Sequence, residues 1–275
     1  MSVQQGKDHG EQPMNIAAIT PVLQTRLVGK NIQYWAEVDS TNAALARLAK
    51  EGGEEGAVVI ADAQRAGRGR LGKSWISPPG VNLHLSVLLK PPMKISDTRF
   101  LTLIGSLAIA DALDAHGAKA QVKWPNDVLV NDKKIAGVLA EVQLHDGLIE
   151  HLILGLGVNL NIDRPTIDRF FGEAAAGATS LYEATGQRID RNAFAVQLLE
   201  RLEHHYFTYL EQGKTVIREQ WRSRSFLGRR VSVREEDMHV EGIALDLDDE
   251  GCLIVALDDG SSVRVREGEV VPLHQ

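Results

Sequence analysis

Ala66-Gly67-Arg68-Gly69-Arg70-Leu71-Gly72-Lys73-Ser74-Trp75 is the stretch on which the reading of this 275-residue chain turns. Three glycines and three cations fall between Gly67 and Lys73. Glycine permits positive φ and lets a ligand approach the backbone closely. A glycine-rich turn can aim several N–H groups at one point and so form an anion-binding nest. Arginine adds a planar fork that matches phosphate or carboxylate oxygens. The composition of this loop therefore predicts that it closes on a phosphorylated ligand.

Three known patterns overlay the same residues. Gly67-x-x-x-x-Gly72-Lys73-Ser74 has the spacing of a P-loop, and Gly67-x-Gly69-x-x-Gly72 has that of a dinucleotide fingerprint or a kinase glycine loop. The first two need a helix opening at the last glycine, whose N-terminus binds phosphate. Here Ser77-Pro78-Pro79-Gly80 follows at once, and proline breaks a helix interior and restricts the residue before it. The acid-ended strand Val58-Val59-Ile60-Ala61-Asp62 precedes the glycines, where a P-loop protein has it on a later strand. No strand-end acid follows about 20 residues on, as a dinucleotide site requires, and the kinase catalytic strings are missing. The loop has to be read from its context.

Composition sets the outer limits. At 44% hydrophobic and 24% charged, the chain has an ordinary globular make-up. One cysteine, Cys252, excludes an internal disulfide and a Cys-rich zinc site, and fits a reducing cytoplasm. No apolar run reaches the roughly 18 residues that span a bilayer, and Met1 to Gln12 is too polar for a signal peptide. Residues 228–275 hold five Arg, no Lys and twelve Asp or Glu, so the entire formal charge of −7 resides there. An acidic chain argues against nucleic acid as the main partner.

Pattern divides the chain into three parts: a weakly structured extension over 1–30, with a short helix near Thr20 to Val28; a main domain over 31–227; and a small all-β module over 228–275. In the main domain, strands are expected at Gln33–Val38, Ala57–Ala61, Asn82–Leu89, Gln121–Trp124, Val128–Val130, Ile135–Gln143 and Glu150–Leu160. Helices are expected at Ala43–Lys50 behind an Asp39-Ser40-Thr41-Asn42 cap, from a Ser96-Asp97 cap to near Gly117, and at Thr179–Ala184, Asn192–Leu210 and Lys214–Arg222. Asn131-Asp132, Glu250-Gly251 and Asp259-Gly260 read as hairpin turns. The terminal module is near the size at which a core alone barely suffices, and is expected to lean on the larger domain.

Polar residues recur at the tips of these apolar strands. They are Ser40-Thr41-Asn42; Gln64 ahead of the glycine loop; Lys123-Trp124-Pro125-Asn126-Asp127; Lys134-Ile135-Ala136-Gly137; and Gly157-Val158-Asn159. Singly, each has a plain explanation: Ser40 as a helix cap, Asn159 as a satisfied core amide, Trp124 as core, Pro125-Asn126-Asp127 as a turn. Together, in this order and spacing, they make the sequence resemble the biotin protein ligase family over residues 33 to 272. Lys-Trp-Pro-Asn-Asp is the most specific single string.

The resemblance implies an α+β fold, a mixed β-sheet flanked by helices like the catalytic core of class II aminoacyl-tRNA synthetases, followed by a small SH3-like β-barrel. It implies that biotin carboxylate attacks the α-phosphate of ATP, with Mg²⁺, to give biotinyl-5′-AMP and pyrophosphate. A lysine of a biotin carboxyl carrier domain, as in acetyl-CoA carboxylase, then takes the biotin. By resemblance, Arg68, Arg70, Lys134 and Lys123 carry the chemistry. Ser40, Thr41, Asn42, Gln64, Gly69 and Gly137 join Arg68, Arg70 and Lys134 around biotin. Arg70, Trp75, Asn126, Asp127 and Asn159 serve ATP, with Asp127 also on the Mg²⁺. No nucleophilic side chain is needed, since the substrate carboxylate is the nucleophile. Some relatives carry an N-terminal DNA-binding domain, but the first strand expected here already begins at Gln33. The short form is therefore expected, cytoplasmic, a monomer or homodimer, with no DNA or membrane partner. Rival readings are a lipoate or octanoate ligase of related fold, against which Gly67-Arg68-Gly69-Arg70 speaks, and a non-catalytic biotin or nucleotide sensor. A P-loop NTPase is a distant third.

Overall fold

The computed structural model describes residues 13–235 and 238–273. In chain order its helices and strands are α1 (Ile16–Ile19), β1 (Ile32–Val38), α2 (Thr41–Lys50), β2 (Val58–Gln64), β3 (Leu83–Leu89), α3 (Arg99–Asp114), β4 (Ala120–Lys123), β5 (Asp127–Val130), β6 (Lys133–His145) and β7 (Leu148–Val158). There follow α4 (Arg164–Phe171), α5 (Leu181–Thr185), α6 (Arg191–Gln212), α7 (Lys214–Arg224), β8 (Arg230–Glu235), β9 (Met238–Leu247), β10 (Leu253–Ala256), β11 (Ser262–Val265) and β12 (Glu269–Pro272).

The first seven strands form one sheet in the order β1-β2-β3-β7-β6-β5-β4. Only β1 and β2 run parallel, so the sheet is mixed. Alternation along β2 sorts its side chains to two layers. Val58 and Ile60 join the large core beneath α3 and α6, while Val59 and Ala61 pack with Leu45 of α2 on the other face. Asn131 and Asp132 both take positive φ (51° and 59°), which gives the β5–β6 hairpin a tight turn of the hand that suits twisted strands. The remaining strands form a five-stranded antiparallel sheet, β11-β10-β9-β8-β12, as an SH3-like module requires. It leans on the first sheet: buried Trp124 donates its indole N–H to the Gly251 carbonyl (3.0 Å).

Three expectations need correction, and one helix is additional to those expected. The helix expected near Thr20 to Val28 is not formed; one turn of helix at Ile16–Ile19 is followed by turns. The Glu203 carboxylate accepts the backbone amides of Arg26, Leu27 and Val28 (2.7, 2.8 and 2.8 Å), the donors such a helix would use. From residue 13 on, the extension is tied down, with Ile19 and Val28 fully buried; residues 1–12 lie outside the described residues. Ser96-Asp97 falls in a 3₁₀ turn, and Thr98 holds the N-cap position of the long helix without a side-chain cap bond. Helix α4 was not anticipated, although Asp163 caps it by accepting from Thr166 N (3.0 Å) and Pro165 sits in its first turn.

Candidate active site

The glycine loop is a narrow turn set against the sheet. Trp75 N donates to Gly67 O (2.9 Å) and Gly69 N to Lys73 O (2.7 Å). A Cβ at position 67 would stand 2.3 Å from Trp75 O, so this closure requires glycine. A single 3₁₀ turn spans Arg70–Gly72 and no α-helix follows until Arg99, which removes the helix N-terminus that a P-loop needs.

The loop covers a cavity of about 550 Å³, within the range of small-ligand sites. All of the residues singled out for the site line it: Ser40, Thr41, Asn42, Gln64, Arg68, Gly69, Arg70, Trp75, Lys123, Asn126, Asp127, Lys134, Gly137 and Asn159. Its floor is the sheet face at Gly137, Gly155 and Gly157, and the Trp75 indole lies on it: a Cβ on Gly157 would come 2.5 Å from the ring. Lys134 Nζ stands 5.6 Å from the centroid of the same ring. Gly268, Glu269 and Val270 of the C-terminal module close one side, where Lys73 pairs with Glu269 (2.8 Å) and Lys123 Nζ donates to Val270 O (3.2 Å).

A chain of polar contacts runs beneath the loop. Gln64 Oε1 accepts from Thr41 N and Oγ1 (2.9 and 3.2 Å). Ser86 Oγ lies 2.7 Å from Thr41 Oγ1 and donates to Asn42 Oδ1 (2.5 Å). Asn42 Nδ2 donates to Glu141 (2.7 Å), and Glu141 in turn receives both arms of Arg68 (2.9 and 3.0 Å). Ser40 stands at the N-cap of α2, where its hydroxyl makes no cap bond, and it lines the cavity. Ser86, Glu141 and Glu269 were missed in the sequence. For Glu141 the one signal was an acid within an otherwise apolar strand.

Electrostatics centre on Asp127. Its two oxygens pair with Lys134 (2.5 Å) and Lys123 (3.1 Å). Burial alone would raise its pKa, but the two lysines outweigh that and hold it below the usual carboxylate value. Asp127 is thereby the counter-ion of two cations. Asn159 likewise commits its amide to the fold, donating to Thr179 O (3.0 Å) and accepting from Asn82 (3.3 Å). Asn126 Nδ2 donates to Val138 O (2.8 Å). Asp62, at the end of the P-loop-like strand, pairs with buried Arg191 (2.7 Å). Cys252 is buried and does not line the cavity.

His84 is the hidden anchor of Trp75, whose indole N–H donates to His84 Nδ1 (3.3 Å). The residue is 1% exposed, and burial, with the Arg191 charge, pushes its pKa from 6.5 down to about 3. It is therefore neutral when folded, while the unfolded chain takes up a proton below pH 6.5. Stability falls with falling pH across that window. Between pH 7 and pH 4 the wild type is expected to lose about 3 kcal/mol more unfolding free energy than His84→Gln. Denaturant titrations at the two pH values check this, and equal losses would contradict it.

Among the described residues no helix is long and apolar enough to cross a membrane, and no group of three or more His, Cys, Asp or Glu is placed to hold a metal ion.

Comparison with known proteins agrees with this geometry. Residues 34–159 match the model of the biotin/lipoate A/B protein ligase family, and residues 226–271 that of the biotin protein ligase C-terminal domain. The chain is 33% identical over 264 residues to the biotin–[acetyl-CoA-carboxylase] ligase of Mycobacterium tuberculosis, covering 91% of this chain and 94% of that one. It is 34% identical over 240 residues to the bifunctional ligase/repressor BirA of Bacillus subtilis, covering 86% and 73%. The structure of biotin protein ligase from Aquifex aeolicus in complex with biotin and ATP superposes with a TM-score of 0.74 at 30% identity, over 90% of this chain and all of that one. With its glycine-arginine loop, its glycine floor and its terminal five-stranded module all matched in this way, the chain belongs to the biotin/lipoate A/B protein ligase family.

Proposed function

We propose that this protein is an ATP-dependent biotin ligase: it forms biotinyl-5′-AMP, releases pyrophosphate, and passes biotin to a lysine of a biotin carboxyl carrier domain. The observation that carries the reading is the convergence of five separated sequence strings on one cavity. Biotin is favoured over lipoate because residues 226–271 match the model of the biotin protein ligase C-terminal domain.

The chemistry suits the residues. Bringing a carboxylate to a polyphosphate costs Coulomb energy, and cations fixed at the reacting centre offset it as charge moves. Arg70 and Lys134 supply that charge. Burial pushes the Arg70 guanidinium down while Glu267 and Asp127 push it up, and an arginine stays protonated throughout. Arg68 would exchange Glu141 for an anionic ligand. The Ser40 hydroxyl and the glycine floor would receive the biotin ring. A Mg²⁺ arriving on the ATP phosphates needs no all-protein cage, and its service is to neutralise those phosphates. The net charge of −7 gives DNA no attractive surface overall.

Pyrophosphate release with ATP and Mg²⁺, with and without biotin, tests the proposal. Release that depends on biotin supports it, and lipoate driving the release equally well would overturn the choice of substrate. Arg70→Gly is expected to keep part of the adenylation but to release biotinyl-AMP to solvent about tenfold faster, since one charged tether is lost. Trapping of free adenylate measures this, and release no faster than wild type would refute it.

A further inference from the structure

A second cavity, of about 320 Å³, adjoins the first and shares Arg70, Trp124 and Pro125 with it. Its wall has a marked charge excess. Arg70 comes from the loop, Arg99 from the start of α3, and Arg266 from the residue after β11, while Glu267 is the one acid in the lining. Arg99 Nε donates to Arg266 O (3.3 Å), which holds two of the three on one wall and joins the two modules there. Arg70 lines both cavities, and the charges of Glu267 and Arg99 in the second reach it along with that of Asp127 in the first. Three guanidinium groups against one carboxylate repel one another, and their fork geometry matches phosphoryl oxygens.

The proposed reaction generates one anion that suits such a wall. As a biotin carboxylate oxygen bonds to the α-phosphorus, the bond from that phosphorus to the α–β bridging oxygen breaks. The oxygen keeps the electron pair and leaves as part of pyrophosphate. We propose that the second cavity is a pyrophosphate site, a station for the leaving group beside the reaction cavity, with Arg70 as the residue common to both. This rests on the ligase reading above.

The step is best read in reverse, with pyrophosphate as the probe: biotinyl-AMP, Mg²⁺ and pyrophosphate are mixed with the full chain and ATP formation is followed. Arg99→Ala and Arg266→Ala are each expected to raise the half-saturating pyrophosphate about tenfold, the effect of one charge-assisted contact. Arg99→Lys should recover part of the loss. The KM for biotin and the transfer of biotin from supplied biotinyl-AMP to a carrier domain, in which pyrophosphate takes no part, should stay near wild type. An unchanged pyrophosphate dependence in both alanine variants would overturn the site. So would an equal fall in carrier transfer, because the arginines would then serve only the shared wall. A wild type that makes no biotinyl-AMP from biotin and ATP would instead sink the ligase reading itself.

Discussion

Asp127→Ala is expected to lower the unfolding free energy by about 3 kcal/mol at pH 7, near the low end for breaking a buried ion pair. Two lysines lose their shared counter-ion, but they do not suffer equally. The Lys123 side chain is 16% exposed and the Lys134 side chain 40%. Lys134 can turn to water, whereas Lys123, held to Val270 O at the join with the second module, cannot do so freely. Most of the loss therefore falls on Lys123. Asp127→Asn keeps the shape and one acceptor and should cost less. The pH dependence has a definite sign. A carboxylate whose folded pKa is depressed stabilises the fold above its ordinary pKa, and loses that contribution as pH falls toward and through the lowered value. The gap between wild type and Asp127→Ala should thus close in acid. Chemical denaturation at pH 7 and pH 3 reads both effects, and a loss under 1 kcal/mol at pH 7 would show the pair to be of no structural weight.

Lys134→Met should separate chemistry from folding. The side chain is partly exposed and Asp127 keeps Lys123, so the stability change should stay within about 1 kcal/mol. Biotin-dependent pyrophosphate release should nevertheless fall about 10²- to 10³-fold, the usual effect of deleting one fixed donor at a centre of developing charge. The loss should appear in kcat/KM for both biotin and ATP. A fall of less than tenfold would mean that Arg70 carries the charge alone. Combining Lys134→Met with Asp127→Ala completes a cycle: residues that touch should give non-additive stabilities.

The strands were legible because alternation and turn chemistry are local. Asn131-Asp132 announced its hairpin, and β3 and β7 showed as apolar runs. The site strings were legible because polar residues at strand tips stand out against those runs. What stayed hidden depends on register between distant strands. Glu141 reaches Arg68 and Asn42 only because β6 crosses beneath the loop. Gly157 makes a floor for Trp75 only because β7 lies between β3 and β6. The helix expected over Thr20 to Val28 failed for a related reason: a carboxylate on α6, far along the chain, took its amides. Local propensity has no access to such a partner. Asn159 shows the converse, a residue whose placement at the cavity was foreseen while its bonds to the fold were not.

The wall at Gly268, Glu269 and Val270 has a bearing on how the protein is made. Ser40 and Glu269 enclose the same cavity, yet a ribosome delivers the first long before the second. Domains fold as units while the chain emerges, so the seven-stranded sheet can form early with its ligand pocket still open on that side. Lys73 and Lys123 wait for acceptors on β12. A nascent chain should therefore gain its fold well before its competence, and become able to hold a reactive anhydride away from water only once that strand has left the exit tunnel and docked.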